Sequence, residues 1–353
     1  MTIPTEPIGS IPRSPELLRA IAGHAAGNVP AETLDKAYDD AVLDTLQRFE
    51  ATGSPVITDG EQRKSSFATY PLEGLTGLAA DGVVIPFKDG HTRQLPRLTK
   101  GPFRYGKYSG QYLLRAKAHA NRPLKQAVIS VSALSLLYPA DEISGYPRER
   151  FIEDLVNEAV TDIVSAFAAG AAAVQIDFTE GRLSLKLDPS GGLLRTFVDL
   201  NNRVLERFTD SERIRIGVHV CPGGDHDSTH SADVDYAGFL PGLFLMNVGR
   251  FYLQLASESD RPRVLRLIAG LLGNRKVFVG VIDPITPRVE SAEEVRDRVL
   301  EAASILPLDQ LGTTDDCGFS PFADDTSTAR AVAFAKIRAR VEGTALAAAK
   351  LGV

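Results

Sequence analysis

Eight short apolar runs alternate with amphipathic stretches along the 353 residues, and polar or metal-binding side chains recur where those runs end. This order predicts an α/β chain folded as a (β/α)₈ TIM barrel with its chemistry gathered at one rim. The length agrees, because such barrels run to roughly 250 residues before insertions. A hydrophobic content of 44% with 24% charged residues provides for a full core and excludes a disordered, collagenous or disulfide-stapled chain.

The strands are expected at Pro7–Ser10, Pro55–Asp59, Ala127–Ser132, Ala173–Asp177, Ile214–Cys221, Gly249–Leu255, Lys276–Asp283 and Gln310–Cys317. Each is a brief run bounded by turn residues. Apolar residues at helical spacing predict helices over Pro30–Phe49, Arg148–Ala169, Gly192–Phe208, Arg261–Leu272, Ala292–Ile305 and Thr326–Leu346. The one long departure, Gly74–Ala120, is rich in Gly, Tyr, Lys and Arg and holds alternating pieces such as Val83–Phe87. It is expected as a meander of short strands inserted between the second and third barrel strands. With no repeat or linker to divide it, the chain is expected to form one catalytic domain, 1–353, with this insertion at 74–120.

A net charge of −6 and the lack of a Lys/Arg stripe argue against nucleic acid as a partner. The basic residues of the insertion, Lys100, Arg104, Lys107 and Arg115, read as a solvated surface. No basic-then-apolar leader opens the chain, and no window approaches the ~18 apolar residues of a membrane span. A cytoplasmic protein with no membrane partner is expected. Only two cysteines occur, too few for a disulfide framework and suited to a reducing compartment. The Gly191-Gly192 and Gly223-Gly224 pairs lack dinucleotide-fingerprint spacing.

The strand ends carry Ser10, Asp59 with Glu61, Ser132, Asp177, His219 with Cys221, Gln254, Asp283, and Asp315 with Cys317. His219 and Cys221 stand two residues apart on one strand, so their side chains leave the same face. Cys317 ends the eighth strand and would complete a third corner across a narrow barrel mouth. Three N/S ligands with an open fourth position are the pattern of catalytic zinc. The alternative is a core histidine and two small buried thiols. Two thiolates and an imidazole make zinc a modest activator of water but a good holder of a substrate thiol, which favours S-alkylation over hydrolysis.

These motifs resemble the cobalamin-independent methionine synthases, in their C-terminal catalytic barrel, over nearly the whole chain. The matching pieces are Ile8-Gly9-Ser10, Thr58-Asp59-Gly60-Glu61, Gln175-Ile176-Asp177, His219-Val220-Cys221, Asp283 through Pro287-Arg288, and Asp316-Cys317-Gly318. The superfamily includes epoxyalkane:coenzyme M transferase and methylthiol:coenzyme M methyltransferases. The resemblance implies zinc held by His219, Cys221 and Cys317, and a methyl group passed to the thiol of homocysteine from a donor, methyl-folate or another. It implies that the Ile8-Gly9-Ser10 turn receives the homocysteine carboxylate and that Glu61 and Asp177 hold its ammonium. A carboxylate needs donors and an ammonium needs acidic partners, so the residue types agree. Asp177 and Asp283 are expected as catalytic residues.

The chain departs from the family in four places. It lacks the duplicated N-terminal barrel. Leu255 stands where the family has a glutamate zinc ligand, leaving Gln254, Glu258 or solvent for the fourth position. Asp177-Phe178-Thr179 replaces Asp-Glu-Pro, with Glu180 just beyond. Ile285 stands where the family has a histidine that assists proton transfer, so Asp283, Glu180, His226 and His230 are candidates for a replacement acid. Beyond these four, Ala133 stands where the family has a pterin-stacking Trp, and the chain has no Trp. Two other readings remain at this point: alkyl transfer to a different thiol, as in epoxyalkane:coenzyme M transferase, and a metal-free barrel related to uroporphyrinogen decarboxylase.

Overall fold

The structure is a computed structural model that describes residues 2–353. Six strands form its central sheet: β1 Lys125–Ile129, β2 Ala173–Asp177, β3 Ile216–Val220, β4 Arg250–Leu253, β5 Lys276–Ile282 and β6 Leu311–Asp315. They lie side by side in chain order and all pairs are parallel. Parallel neighbours need a crossover, and here each crossover contains helix. Arg148–Ala168 joins β1 to β2, Glu180–Leu187 and Gly192–Leu205 lie between β2 and β3, and Tyr236–Leu243 precedes β4. Arg261–Leu271 and Ala292–Ala303 serve the next two crossovers, and Arg330–Leu351 follows β6. Local chemistry sets the helix starts. Ser291 and Glu294 form a reciprocal capping box, and Ser14 caps a helix over Pro15–Ala25 whose first residue is proline.

Strands covered on both faces are normally apolar throughout, yet β1, β2, β3 and β6 are buried at every residue while carrying Lys125, Gln175, His219 and Thr313. The interior of the sheet is polar, and part of it is internally paired. Lys125 Nζ donates to Gln175 Oε1 at 2.7 Å, and Tyr252 donates to Glu6 at 2.6 Å. Burial lowers the Lys125 ammonium to about 7.

The expected eight-stranded ladder is a six-stranded sheet with two bridged flanks. Thr5 meets Thr313 on β6, and Ile57 meets Leu124 just ahead of β1, each through a single parallel bridge. Pro4 and Pro7 bracket the first bridge, and Pro55 and Pro123 flank the second; none has an N–H with which to extend a ladder. The two flanks touch one another where Thr58 Oγ1 donates to Gly9 O at 2.8 Å and Ile11 N to Gly60 O at 3.0 Å. Arg13 binds them to the chain that follows β6. Its guanidinium is buried and donates to Glu61 O at 2.8 Å, Lys64 O at 2.7 Å, Ser320 O at 3.1 Å and Phe322 O at 3.2 Å.

The insertion is only partly a meander. Leu78–Ala79 pairs with Arg97–Leu98, and Val84–Pro86 pairs with Thr92–Gln94, both antiparallel. Its last third is a helix, Ser109–Lys117, which docks on Arg148–Ala168 because buried Asp162 and Ser165 accept from its first N–H groups, Ser109 and Gly110. The Val84–Gln94 hairpin folds back over the rim, where Arg93 pairs with Asp225 and Asp324 and Lys88 N donates to Thr229 O at 3.0 Å. No helix among the described residues is long and apolar enough to cross a membrane.

Arg13→Ala leaves the buried carbonyls of Lys64 and Ser320 without a donor and removes one donor each from Glu61 O and Phe322 O. It should lower stability by about 3 kcal/mol, read as a shift in the denaturant midpoint at unchanged slope.

Candidate metal centre and active site

Strand register brings the site together. Asp177, the last residue of β2, lies directly beside His219 on β3, with Tyr252 of β4 on the other side. Cys221 follows β3 immediately, and Cys317 lies two residues beyond β6. His219, Cys221 and Cys317 are all buried, and their ligand atoms lie within 4.8 Å of one another. The two Sγ atoms are 3.0 Å apart, and Gly223 N–H points at Cys221 Sγ from 3.3 Å. Both ring nitrogens of His219 are buried without any hydrogen-bond partner. A buried imidazole left this way costs free energy unless something else engages it, and a cation held between the ring and the two sulfurs would do so. The neighbouring Cys221 sulfur, and then burial, push the Cys317 thiol well above its ordinary range.

Two glycines are required by close approach. A Cβ on Gly318 would lie 2.1 Å from Ser10 Oγ, so only glycine after Cys317 admits the Ser10 hydroxyl. Gly223 has φ +72° and a Cβ there would lie 1.7 Å from His230 Nε2. Asp316, the residue before Cys317, acts as a clamp. Its carboxylate accepts from the N–H groups of Leu255, Ala256 and Ser257, each at 2.8 Å, tying the loop after β4 to the cysteine-bearing turn. The register of β5 against β6 shifts between Gly280 and Ile282, and a Cβ on Gly280 would lie 1.9 Å from Asp316 Oδ1. The bulge and the glycine make room for the clamp.

A cavity of ≈ 630 Å³ opens onto this centre, and Ile8, Ser10, Glu61, Asp177, His219 and Cys317 all line it. Cys221 stands behind Cys317. Glu61 has φ +56°, and the turn is held by Asp59 Oδ1 accepting from Glu61 N at 2.9 Å. Buried Lys64 donates to Glu61 Oε1 at 3.0 Å and to Ala127 O at 2.9 Å, which aims the carboxylate into the cavity mouth. Burial pushes Asp177 up to about 6 while the neighbouring His219 pulls it down. Gln175 Nε2 donates to its Oδ1 at 2.7 Å.

Other expectations find a different placement. Asp283, expected as catalytic, is off the cavity wall: its Oδ1 accepts from Ile285 N at 3.0 Å and shapes the turn after β5. Gln254 and Glu258, the expected substitutes for a fourth ligand, are both engaged by buried Arg182, at 2.5 Å and 3.1 Å. Neither joins the His–Cys–Cys group. His226 is a partly exposed rim residue in a left-handed conformation, grouped with Asp225 and Asp325. His230 lines the cavity, but burial lowers it to about 4, so it is neutral and has no imidazolium proton to offer. Glu180, in contrast, is buried on the cavity wall, and burial raises it to about 7. Ser130 and Ser132 both donate to its Oε1, and its Oε2 has no partner. Arg13, Lys64 and the clamp role of Asp316 escape sequence reasoning. The only signal is the three-residue spacing of Glu61 and Lys64, which means nothing until the turn between them is known.

Fold and site together define an α/β protein with a candidate His–Cys–Cys metal centre at the C-terminal ends of its parallel strands. The family model described as "Cobalamin-independent synthase, Catalytic domain" matches residues 3–340, and the chain belongs to that family. It is 24% identical to the methionine synthase of Sulfurisphaera tokodaii, over 97% of this chain and 91% of that one. It is 25% identical to the 5-methyltetrahydropteroyltriglutamate–homocysteine methyltransferase of Ralstonia pickettii over 90% of this chain, which spans only 39% of that protein. Among solved structures, a B12-independent methionine synthase from Shewanella sp. W3-18-1, in complex with selenomethionine, superposes with a TM-score of 0.77 at 21% identity, covering 99% of both chains. A putative B12-independent methionine synthase from Listeria monocytogenes gives 0.74 at 23% identity, covering 98% of both. These likenesses show a shared fold.

Glu180 makes the stability of the site depend on pH. Its folded value of about 7 lies above the ordinary 4.5, so its stabilising contribution is complete below the ordinary value and is lost as pH rises through 7. Glu180→Gln keeps an acceptor for the serines and removes the buried charge. It should match the parent near pH 4 and become the more stable protein by roughly 1–3 kcal/mol at about pH 8, measured by denaturation at both values.

Proposed function

We propose that this chain is a zinc-dependent methyltransferase that moves a methyl group onto the thiol of homocysteine to form methionine. Residues 1–353 are read as one catalytic domain in which the six-stranded sheet closes through its bridged flanks as a (β/α)₈ barrel, with the insertion at 74–120. The single observation that carries the function is the His219–Cys221–Cys317 group, with both imidazole nitrogens unengaged, beside a cavity also walled by Ser10, Glu61 and Asp177. Family membership and the activities for which the relatives are named support it.

His219, Cys221 and Cys317 would hold the metal, and soft sulfur donors favour zinc over magnesium or calcium. Bound there, zinc supplies a substrate thiol held as its thiolate at neutral pH. The rest falls to the protein. Ser10 offers its hydroxyl to the homocysteine carboxylate beside the Ile8-Gly9-Ser10 backbone. Glu61 and Asp177 face the ammonium, and Lys64 fixes where Glu61 points. With Gln254 and Glu258 held by Arg182, the loop after β4 contributes no fourth ligand, which leaves that position to the thiol. The Val84–Gln94 hairpin lines the cavity from above and excludes water from the reacting atoms. Both cysteines are free, as thiol chemistry in a reducing compartment such as the cytoplasm requires.

X-ray absorption on the purified protein tests this. About one zinc with two sulfur neighbours is expected, rising to three sulfurs when homocysteine is added, while His219→Ala and Cys317→Ala lose the metal. A folded wild type that takes up no zinc overturns the reading. Zinc uptake without a third sulfur overturns homocysteine as the acceptor.

A further inference from the structure

We propose that Glu180, a residue of the cavity wall, delivers to the leaving group of the methyl donor the proton carried on its Oε2. The inference rests on the methyltransferase reading above and adds a catalytic residue to it.

The hydrogen-bond chain around Glu180 decides which oxygen carries the proton. Ser130 Oγ caps the short helix Val131–Ser135 and accepts from Ala133 N at 3.1 Å, so its one hydrogen is free for Glu180 Oε1. Ser132 Oγ accepts from Asn201 Nδ2 at 2.6 Å, so its hydrogen also goes to Oε1; the other acceptor in reach, Ser130 Oγ, is at 3.4 Å. Oε1 is therefore an acceptor twice over. A proton on this carboxyl belongs on Oε2, which is buried and without a partner. Ile129, Ala133, Leu183 and Phe197 line the same cavity, and these apolar side chains favour the neutral acid.

The anion left after transfer is also provided for. Glu180 is the first residue of the helix Glu180–Leu187, where backbone N–H groups and the helix dipole favour negative charge, and the two serine hydroxyls already point at it. The charged group that bears on it is Asp177, from the end of β2, which disfavours ionisation. The strand-end residues of β1 and the helix Gly192–Leu205 contribute the neutral Ser130, Ser132 and Asn201. No Lys or Arg among the described residues forms an ion pair with Glu180 within 4.0 Å. The other acids considered are less suited: His230 is neutral, His226 is at the rim, Asp283 is off the wall and Asp177 faces the ammonium.

The step balances for a donor that carries its methyl on an amine nitrogen, as a reduced methyl-pterin does. The thiolate sulfur attacks the methyl carbon, the S–C bond forms and the C–N bond breaks. The electron pair stays on nitrogen, which takes the proton from Glu180 Oε2. The carboxylate regains a proton from solvent, to which the thiol lost one on binding. A sulfonium donor departs as a neutral thioether and needs no proton, which gives the test its control.

The zinc-loaded wild type and Glu180→Gln are compared by infrared difference titration and by turnover of homocysteine with methyltetrahydrofolate and with S-methylmethionine. The expected result is a carboxylic-acid C=O band, absent from the variant, that persists to near-neutral pH. With the N-methyl donor the variant should lose ~10²-fold or more in kcat, while the sulfonium rate changes by less than about 3-fold. A carboxyl ionised throughout about pH 5–8 overturns the proposal. So does an equal loss with both donors, which marks a structural role, or no loss with either. Wild-type turnover of the sulfonium donor alone overturns it too, since no proton is then required. A wild type inert with every donor instead removes the methyltransferase reading, and this inference with it.

Discussion

Where the strand ladder gives out, one buried guanidinium takes its place. The six strands from Lys125 to Asp315 hold one another by regular parallel hydrogen bonding, but the segments around Thr5 and Ile57 are tied in by one bridge each. Those segments carry Ser10 and Glu61, so this part of the cavity wall is built on the weakest part of the sheet. Arg13 compensates with geometry that a peptide ladder lacks. A planar fork of donors reaches carbonyls of the Glu61–Lys64 turn on one side and of the Ser320–Phe322 segment on the other. The antiparallel contact of Ser66 with Phe322 follows the same seam. The positions of Ser10, Glu61 and Cys317 relative to one another thus depend on a residue that touches none of the chemistry.

A second constraint is charge. Glu61, Asp177 and Glu180 face one cavity, and such a crowd of carboxylates is stable only if each is paired, protonated or answered by a cation. The structure uses all three solutions. Lys64 pairs with Glu61, burial favours the proton on Glu180, and Asp177 lies beside an imidazole whose nitrogens remain free for a cation. The cations nearest the rim, Lys186 and Arg93, are already matched by Asp233 and by Asp225 with Asp324. Both are therefore taken up by partners other than Asp177.

Much of this was legible in the residues because it is local. The run Ala173–Asp177 is a strand over the same residues as expected, and His219 and Cys221 share a face because a strand repeats every two residues. Helices from Arg148 and Ala292 begin where Pro147 and Ser291 precede a periodic apolar pattern. What escaped is non-local. Nothing in Pro12-Arg13-Ser14 says that its guanidinium reaches carbonyls some fifty and three hundred residues away. The first strand fails as a strand because prolines deny it donors, although its apolar run reads as one. The helix Ser109–Lys117 was hidden in a Gly- and Tyr-rich stretch of low intrinsic preference, and it forms because Asp162 and Ser165 satisfy its start. Asp283 had the right position on paper, but the turn it builds for Ile285 takes its carboxylate away from the cavity.

The loop after β4 is tied to the cavity wall through one buried side chain. Leu255 has no ligand atom, and its buried side chain packs in the core while its N–H is spent on Asp316. Gln254 and Glu258, the polar residues that flank it, turn instead to Arg182, whose other contacts are Ala232 O, Val234 O and the face of Tyr236. Arg182 in turn lies on the helix that begins with Glu180. The loop is thereby a brace that holds this helix against β4, and the helix is what sets Glu180 on the cavity wall. The end of β4 and the acid on the cavity wall are thus linked through one buried arginine.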